Sequence, residues 1–376
     1  MVKVAFVSVS HKPISSASTG GLETFAIYYL NQLKKIDCQV TLFAAQETDT
    51  SLFPGIDFVP LFSLNDIQKS ENEDLESKIF TLNYSMFQYA SLAKVLERKD
   101  EFDIIHFSCA QWYASSILSN TDKPIVSTVH VNNLKENPLI YVLNNFKKAH
   151  LVNISNFSGR PFADYKNRQT VYNGIDLNLF PFQTSSKNYF GWLGRIAPAK
   201  GLKEALLAAR QADIELVASG PKDFSDYCQK EVQPLLDEKR KLIDPVGLGT
   251  KGQFLTDAKA ILLPIQWEEP FGLVAIEAMA CGTPVIAFAK GAMPEIILDG
   301  VTGFIVNPSG EDKRGDFIVK KTGIEGLVEA IQKINSLPET EYVKMRQASK
   351  KRVEENFSVE KMTAGYREVY RKILNK

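Results

Sequence analysis

Two patterns alternate along this chain. Val2–Ser8, Gln39–Ala44, Ile104–Phe107 and Ile125–Val129 are short and mainly apolar, as strands buried on both faces are. Between them, Gly21–Lys35 and Phe80–Glu97 space their apolar residues at the helical period. Strands that alternate with helices predict a parallel sheet with helices on both faces. Asp66–Lys78, rich in acids, reads as a surface excursion. Residues 181–188 hold Pro181, Thr184, Ser185 and Ser186, which is linker composition. Asn188–Leu193 then opens a second series, which Glu215–Ala218, Ala260–Leu263 and Pro284–Ala287 continue. The expectation is an α/β protein of two Rossmann-like domains facing across a cleft, with ligands at the carboxyl ends of the strands. The domains are residues 1–180 and 189–356, followed by a terminal helix over 357–376 with Ser358 as candidate N-cap.

Composition narrows the class. A length of 376 residues fits two domains. Lys plus Arg equals Asp plus Glu, at 44 each, which excludes a broad electrostatic surface for nucleic acid. One local excess, Lys344, Arg346, Lys350, Lys351 and Arg352, reads as a solvated helix face, with peripheral membrane contact as the other reading. The four cysteines, Cys38, Cys109, Cys228 and Cys281, are far apart and form no CxxC, as expected of reduced thiols in a cytoplasmic protein. The first residues turn polar too soon for a signal peptide, and no apolar run reaches membrane-spanning length.

The densest chemistry lies in Trp267-Glu-Glu-Pro-Phe-Gly-Leu-Val-Ala-Ile-Glu-Ala-Met-Ala-Cys-Gly-Thr-Pro-Val-Ile286. A strand precedes it, and Leu273–Ala280 reads as a helix that starts after the Pro-Phe-Gly turn. Glu269 and Glu277 are eight residues apart. On one helix face that spacing puts the carboxylates roughly 12 Å apart along the axis. This span suits a ligand with a sugar at one end and a ribose at the other, and helix N-terminal N–H groups between them can hold phosphate. An E-x7-E pair alone would carry little weight.

Other strand ends carry candidates. Gly20-Gly21 follows the first strand and opens a helix, where backbone can approach a phosphate. No GxGxxG fingerprint accompanies it, so no nicotinamide site is read. Gly194-Arg-Ile-Ala-Pro-Ala-Lys-Gly201 follows the first strand of the second series, and Arg195 and Lys200 are cations suited to a diphosphate leaving group. His130 ends the strand Pro124–His130, pointing to a cleft mouth or capping backbone. His106 reads as structural. Asn173-Gly-Ile-Asp176 reads as a turn, and Ser219-Gly-Pro221 as a strand-end turn. The run from Asn307 to Gly323 is a polar loop without an assigned purpose. No Asp-x-Asp sits at a strand end, so metal-independent chemistry is expected.

The Glu-Pro-Phe-Gly turn, the two glutamates and the Ala-Met-Ala-Cys-Gly-Thr-Pro-Val run resemble the signature of the retaining glycosyltransferases of family 4 (glycosyl transferases group 1). The resemblance covers nearly the full chain and is strongest from Gly191 to Phe304. It implies the GT-B fold, with the last helix crossing back to the first domain. It also implies retaining transfer of a sugar from a nucleotide diphosphate sugar to an acceptor hydroxyl, with no cofactor. A UDP-sugar is the first choice of donor, with GDP- or ADP-sugars as alternatives; the acceptor is a sugar, lipid or small molecule. By that resemblance Arg195 and Lys200 bind the diphosphate, Glu277 the ribose and Glu269 the donor sugar. Backbone N–H groups of Phe271, Gly272 and Leu273 hold sugar and phosphate oxygens, and His130 contacts the transferred sugar. Glu269, His130, Arg195 and Lys200 form the catalytic set, and Gly20 and Gly21 join the donor site. The acceptor side falls to His11–Gly20 and the segment after His130; a histidine common to such proteins two residues beyond His106 is Ser108 here. A nucleotide-sugar epimerase and a non-catalytic binding module remain as other readings, separated by product analysis.

Overall fold

The computed structural model describes residues 1–9, 12–18, 20–63, 87, 89–108, 121–130, 149–221 and 225–375. Residues 66–78, His11, the residues directly after His130 and Cys109 lie outside the described residues. Two compact units emerge. The first joins Met1–Gly174 to Val359–Lys376, and the second is Ile175–Ser358.

In the first unit, β1 (Val2–Val7), β2 (Cys38–Ala44), β3 (Asp57–Pro60), β4 (Ile104–Phe107), β5 (Ile125–Val129), β6 (Ala149–Asn153) and β7 (Arg168–Thr170) form one sheet. Its order is β3-β2-β1-β4-β5-β6-β7 and every pairing is parallel. Helix α1 (Gly21–Leu33) follows β1. Residues 89–97, labelled α2, are helical, within the span that the periodicity predicts.

The second unit repeats the plan with β8 (Phe190–Leu193), β9 (Leu216–Ser219), β10 (Arg240–Ile243), β11 (Ile261–Leu263), β12 (Val285–Phe288) and β13 (Gly303–Val306). Their order, β10-β9-β8-β11-β12-β13, is again wholly parallel. The longer helices here are α3 (Leu202–Gln211), α4 (Leu248–Asp257), α5 (Leu273–Ala280), α6 (Gly323–Ser336) and α7 (Glu339–Asn356). The last helix, α8 (Val359–Leu374), packs in the first unit against α1. The fold class is therefore α/β with two Rossmann-like units, as the alternating pattern predicts.

Burial on both sheet faces explains the uniform apolar strands. Every residue of β4, β5, β8, β11 and β12 is buried. Side chains such as Ile105, Ile125, Leu262 and Ile286 are completely enclosed, each contributing about 1.5–3 kcal/mol relative to exposure. Residues 181–188 lie within the second unit, where Thr256 donates to the Pro181 carbonyl at 2.6 Å and Arg346 to that of Gln183 at 2.8 Å.

The basic cluster of α7 divides between core and surface. Arg346 does not lie on a solvated face: it is fully buried. Its guanidinium donates to the carbonyls of Thr256 at 2.9 Å, Ala258 at 3.3 Å and Cys281 at 3.3 Å. It thereby satisfies carbonyls at the carboxyl ends of α4 and α5, where a cation also suits the helix dipole. Arg352 turns toward the Glu295 carbonyl at 2.8 Å. Lys344, Lys350 and Lys351 form exposed pairs with Glu341, Glu354 and Glu355. Among the described residues no helix is long and apolar enough to cross a membrane.

Candidate functional site

In both sheets the strand order reverses beside the first strand, between β1 and β4 and between β8 and β11. Such reversal points leave a crevice at the carboxyl ends of the strands. The second unit fills its reversal point with charge. Arg195 is exposed on the turn directly after β8, and Lys200 ends a 3-10 turn (Pro198–Lys200) just before α3. The Lys200 Nζ donates to Glu269 Oε2 at 2.6 Å, and Trp267 Nε1 donates to the same oxygen at 3.0 Å. The ammonium also lies 5.0 Å from the Trp267 ring centroid, a cation–π distance.

The backbone explains how residues 69 apart in sequence meet. Gln266 N–H donates to the Ala199 carbonyl at 2.9 Å, tying the turn after β8 to the turn after β11. Gly201 has φ +74°, and a Cβ there would lie 1.9 Å from the Pro264 carbonyl oxygen. Only glycine permits both the left-handed conformation and that approach. Gly291, at φ +59°, plays the same part under Glu269, whose carbonyl oxygen would lie 2.0 Å from an added Cβ. The Ser219-Gly-Pro221 turn packs against the turn after β8, through Ile196 N–H to the Pro221 carbonyl at 2.9 Å.

Glu269 and Glu277 do not share a helix face. Helix α5 starts at Leu273, so Glu269 lies in the preceding loop rather than on the helix face. The roughly 12 Å helical separation does not apply, since a 1.5 Å rise holds only along a helix. Glu277 does lie on α5, and it is 1% exposed. Lys251 of α4 donates to both its oxygens, at 3.1 and 3.3 Å. Gly272 is the N-cap of α5, and no side chain caps it. The Phe271 ring is buried against Phe357, with centroids 5.8 Å apart. Any ligand contact from Phe271 therefore falls to its backbone.

A third group of charges flanks Glu269. Glu268 accepts from Gly291 N–H at 2.8 Å and from the two terminal nitrogens of Arg314 at 2.6 and 2.8 Å. Arg314 also donates through Nε to Asp312 at 2.7 Å, and Lys290 donates to Asp312 at 3.0 Å. The Arg314 and Lys290 bonds hold the Asp312 carboxyl down at about 2. Burial pushes Glu268 upward, but Arg314 and the Gly291 N–H outweigh it and the net shift is downward.

The first unit is different in kind. His130 follows β5 and is buried; its Nε2 lies 2.9 Å from Ser108 Oγ, which follows β4. Burial lowers its pKa to about 3, so the imidazole is neutral near pH 7. Gly20 is the N-cap of α1, and the carboxylate of buried Glu23 lies against it: an added Cβ would be 2.0 Å from Glu23 Oε2. The positive end of α1, proposed for phosphate from the Gly20-Gly21 pair, is thus already met by an acid. His106 is wholly buried in a hydroxyl network, with Nδ1 2.6 Å from Tyr370 Oη and Nε2 2.7 Å from Thr128 Oγ1. Its pKa falls to about 3 through burial and the neighbouring His130. Asp176, of the Asn-Gly-Ile-Asp turn, caps the 3-10 turn Leu177–Leu179 by accepting from Asn178 N–H at 3.0 Å.

The structure therefore groups Lys200 with Glu269, places Arg195 on the same β8 turn, and puts Glu277 on the next helix. His130, Gly20 and Gly21 belong to the other unit. Sequence reasoning missed Trp267 and Lys251 as partners of the two glutamates. Trp267 stands in the motif itself; Lys251 is 26 residues from Glu277 and carries no local signal. Among the described residues no three His, Cys, Asp or Glu side chains gather as metal ligands would.

A family described as "Glycosyl transferases group 1" matches residues 180–352, and "Glycosyltransferase Family 4" matches residues 19–179. D-inositol 3-phosphate glycosyltransferase of Mycolicibacterium smegmatis is 24% identical over 363 residues, 81% of this chain and 80% of that protein. Sucrose-phosphate synthase of Thermosynechococcus elongatus superimposes with a TM-score of 0.78 at 18% identity, covering 100% of both chains. HepE of Anabaena, solved with UDP and glucose, gives 0.72 at 18% identity, covering 98% of this chain and 99% of that one. At such identities the structural likeness speaks for the fold.

Proposed function

Because the chain belongs to the glycosyltransferases of group 1 and family 4, and is thus an enzyme of the hexosyltransferase type that transfers a sugar from a donor, we propose that its donor is a nucleotide diphosphate sugar bound at the reversal point of the second unit. The observation that carries this reading is the 2.6 Å contact of Lys200 with Glu269 at the carboxyl ends of β8 and β11, with Glu277 on the helix that follows.

The chemistry follows from charge. As the glycosidic bond breaks, the diphosphate gains negative charge. Lys200, already desolvated in part between Glu269 and Trp267, and Arg195 on the same turn neutralise that charge as it grows, which lowers the barrier rather than only tightening binding. Glu277 accepts from the two ribose hydroxyls, and Lys251 holds its carboxylate for that task. Glu269 accepts from hydroxyls of the donor sugar. The leaving phosphate oxygen takes the proton of the acceptor hydroxyl on the face it leaves, so configuration is retained. Because the cations come from side chains, added divalent metal is not required. UDP is the preferred nucleotide, in keeping with the UDP in the HepE structure. His130, in the first unit, is assigned to the transferred sugar by family resemblance, as a neutral hydrogen-bonding group.

The test is a panel of UDP-, GDP- and ADP-hexoses, followed for slow hydrolysis in the presence of EDTA. Turnover of one member with retained anomeric configuration is expected. An inverted product contradicts the mechanism, activity that EDTA abolishes contradicts its independence from metal, and turnover of none contradicts the donor assignment.

A further inference from the structure

Residues 307–323 form the polar run for which the motifs give no purpose. We propose that this loop is a brace for the donor-sugar carboxylate, with Arg314 as a positioning residue that acts on Glu269 through Glu268. The inference rests on the donor site proposed above.

The contacts run in one line. Arg314 is fixed at its backbone by Asn307, whose Oδ1 accepts from the Arg314 N–H at 2.7 Å and whose Nδ2 donates to the Gly315 carbonyl at 2.9 Å. Its guanidinium then grips two carboxylates at once, Asp312 within the loop and Glu268 outside it. Asp312 is held in turn by Lys290. Glu268 is the residue before Glu269, and its second tie is the Gly291 N–H. Ala292 N–H meets the carbonyl of Glu269 itself at 2.9 Å. The short segment that bears Glu269 is thus bonded at adjacent residues to the turn 290–292 and to the loop 307–323. Arg314 is 29% and Glu268 33% exposed in their side chains, so each pairing alone is modest. A planar fork that satisfies two acids fixes direction as well as distance, which a lysine does not. Loss of direction at Glu268 passes along one peptide to Glu269, and misplacement of a ligand-binding group by a fraction of an ångström lowers turnover.

The experiment compares Arg314→Gln, Arg314→Lys, Glu268→Gln, the Glu268→Gln/Arg314→Gln pair and Glu269→Gln, using the best-hydrolysed sugar of the donor panel. Arg314→Gln is expected to lower kcat/KM about tenfold, the scale of one charge-assisted contact, with a melting temperature near that of the parent. Arg314→Lys recovers only part of the loss. In the Glu268→Gln background Arg314→Gln has no further effect, because one path is already cut. Parental kinetics in Arg314→Gln, or the same loss with and without Glu268, overturns the brace while Glu269→Gln remains inactive. If Glu269→Gln is itself fully active, the donor site is wrong and the brace falls with it.

Discussion

The two units share the order of their first six strands and have opposite chemistry at the same place. Each reverses strand order beside its first strand, and each ends the flanking strands in polar residues. In the first unit those residues are neutral: Ser8, Ser108 and an imidazole that burial keeps uncharged. In the second they are ionic: Arg195, Lys200 and Glu269, with Lys251 and Glu277 just behind. All four histidines fall at or before His150, and the second unit contains none. A shared backbone therefore sets where a ligand can bind, and the strand-end side chains set what it can be. Charges suit a diphosphate, and neutral hydroxyls and imidazole suit a sugar hydroxyl.

That contrast can be broken by mutation, most strongly at the buried ion pair. Lys251→Ala removes the Lys251 ammonium from the Glu277 carboxylate, which is 1% exposed. Removal of one partner from such a pair costs about 3–5 kcal/mol. Denaturant midpoints should fall accordingly, and the combined change Lys251→Met with Glu277→Gln should recover part of the loss. A fall no larger in Lys251→Ala than in the combined variant contradicts a compensating role for Lys251.

Acid should act on the first unit. His106 and His130 have folded pKa values of about 3, below the ordinary value of 6.5. Between these values the unfolded chain binds more protons than the folded one, so their stabilising contribution is full above 6.5 and falls as pH drops toward 3. Each contributes a slope of about 1.4 kcal/mol per pH unit well inside that window. Hydrogen exchange at pH 7.5 and 5.5 should report a larger loss of protection in β4 and β5 than in β8 and β11. Equal losses in both units would remove the distinction.

A smaller effect is expected at Tyr370, whose hydroxyl lies 2.6 Å from His106 Nδ1 and 2.9 Å from Tyr29 Oη. Tyr370→Phe leaves those buried groups short of a partner, at a cost of about 1–3 kcal/mol. Protection should drop in α8 and β4 while UDP affinity at the proposed donor site stays constant; a change in affinity instead would link the network to that proposed site.

The sequence pattern shows most of the strands whose burial is uniform; β13, buried throughout, is the exception, since Gly303 opens it and only three apolar residues follow. β4 and β5, enclosed on both faces, match their apolar runs residue for residue, and Leu273–Ala280 is helical as the motif predicts. The other strands that escaped notice have mixed surroundings. β3, β7 and β10 are edge strands and only partly buried; Asp57–Pro60 is four residues long, and Arg168–Thr170 and Arg240–Ile243 open on charged residues, so none makes a long apolar run. β6 is interior but not uniformly buried, since His150 is only partly enclosed. Arg195 with Lys200, and Glu269 with Glu277, are visible as two motifs because the spacing within each pair is local. Their partners are not: Lys251 and Arg314 reach Glu277 and Glu268 across 26 and 46 residues, by packing that no short pattern encodes.

The most direct measurement is calorimetric titration of UDP into the parent protein and into Lys200→Ala, in EDTA and at two salt concentrations. The expected result is metal-free binding to the parent that weakens as salt rises, reduced at least tenfold in the variant, the loss of one charge-assisted contact. Equal affinity in the two proteins, or no binding to the parent without added metal, would contradict a diphosphate site built on Lys200.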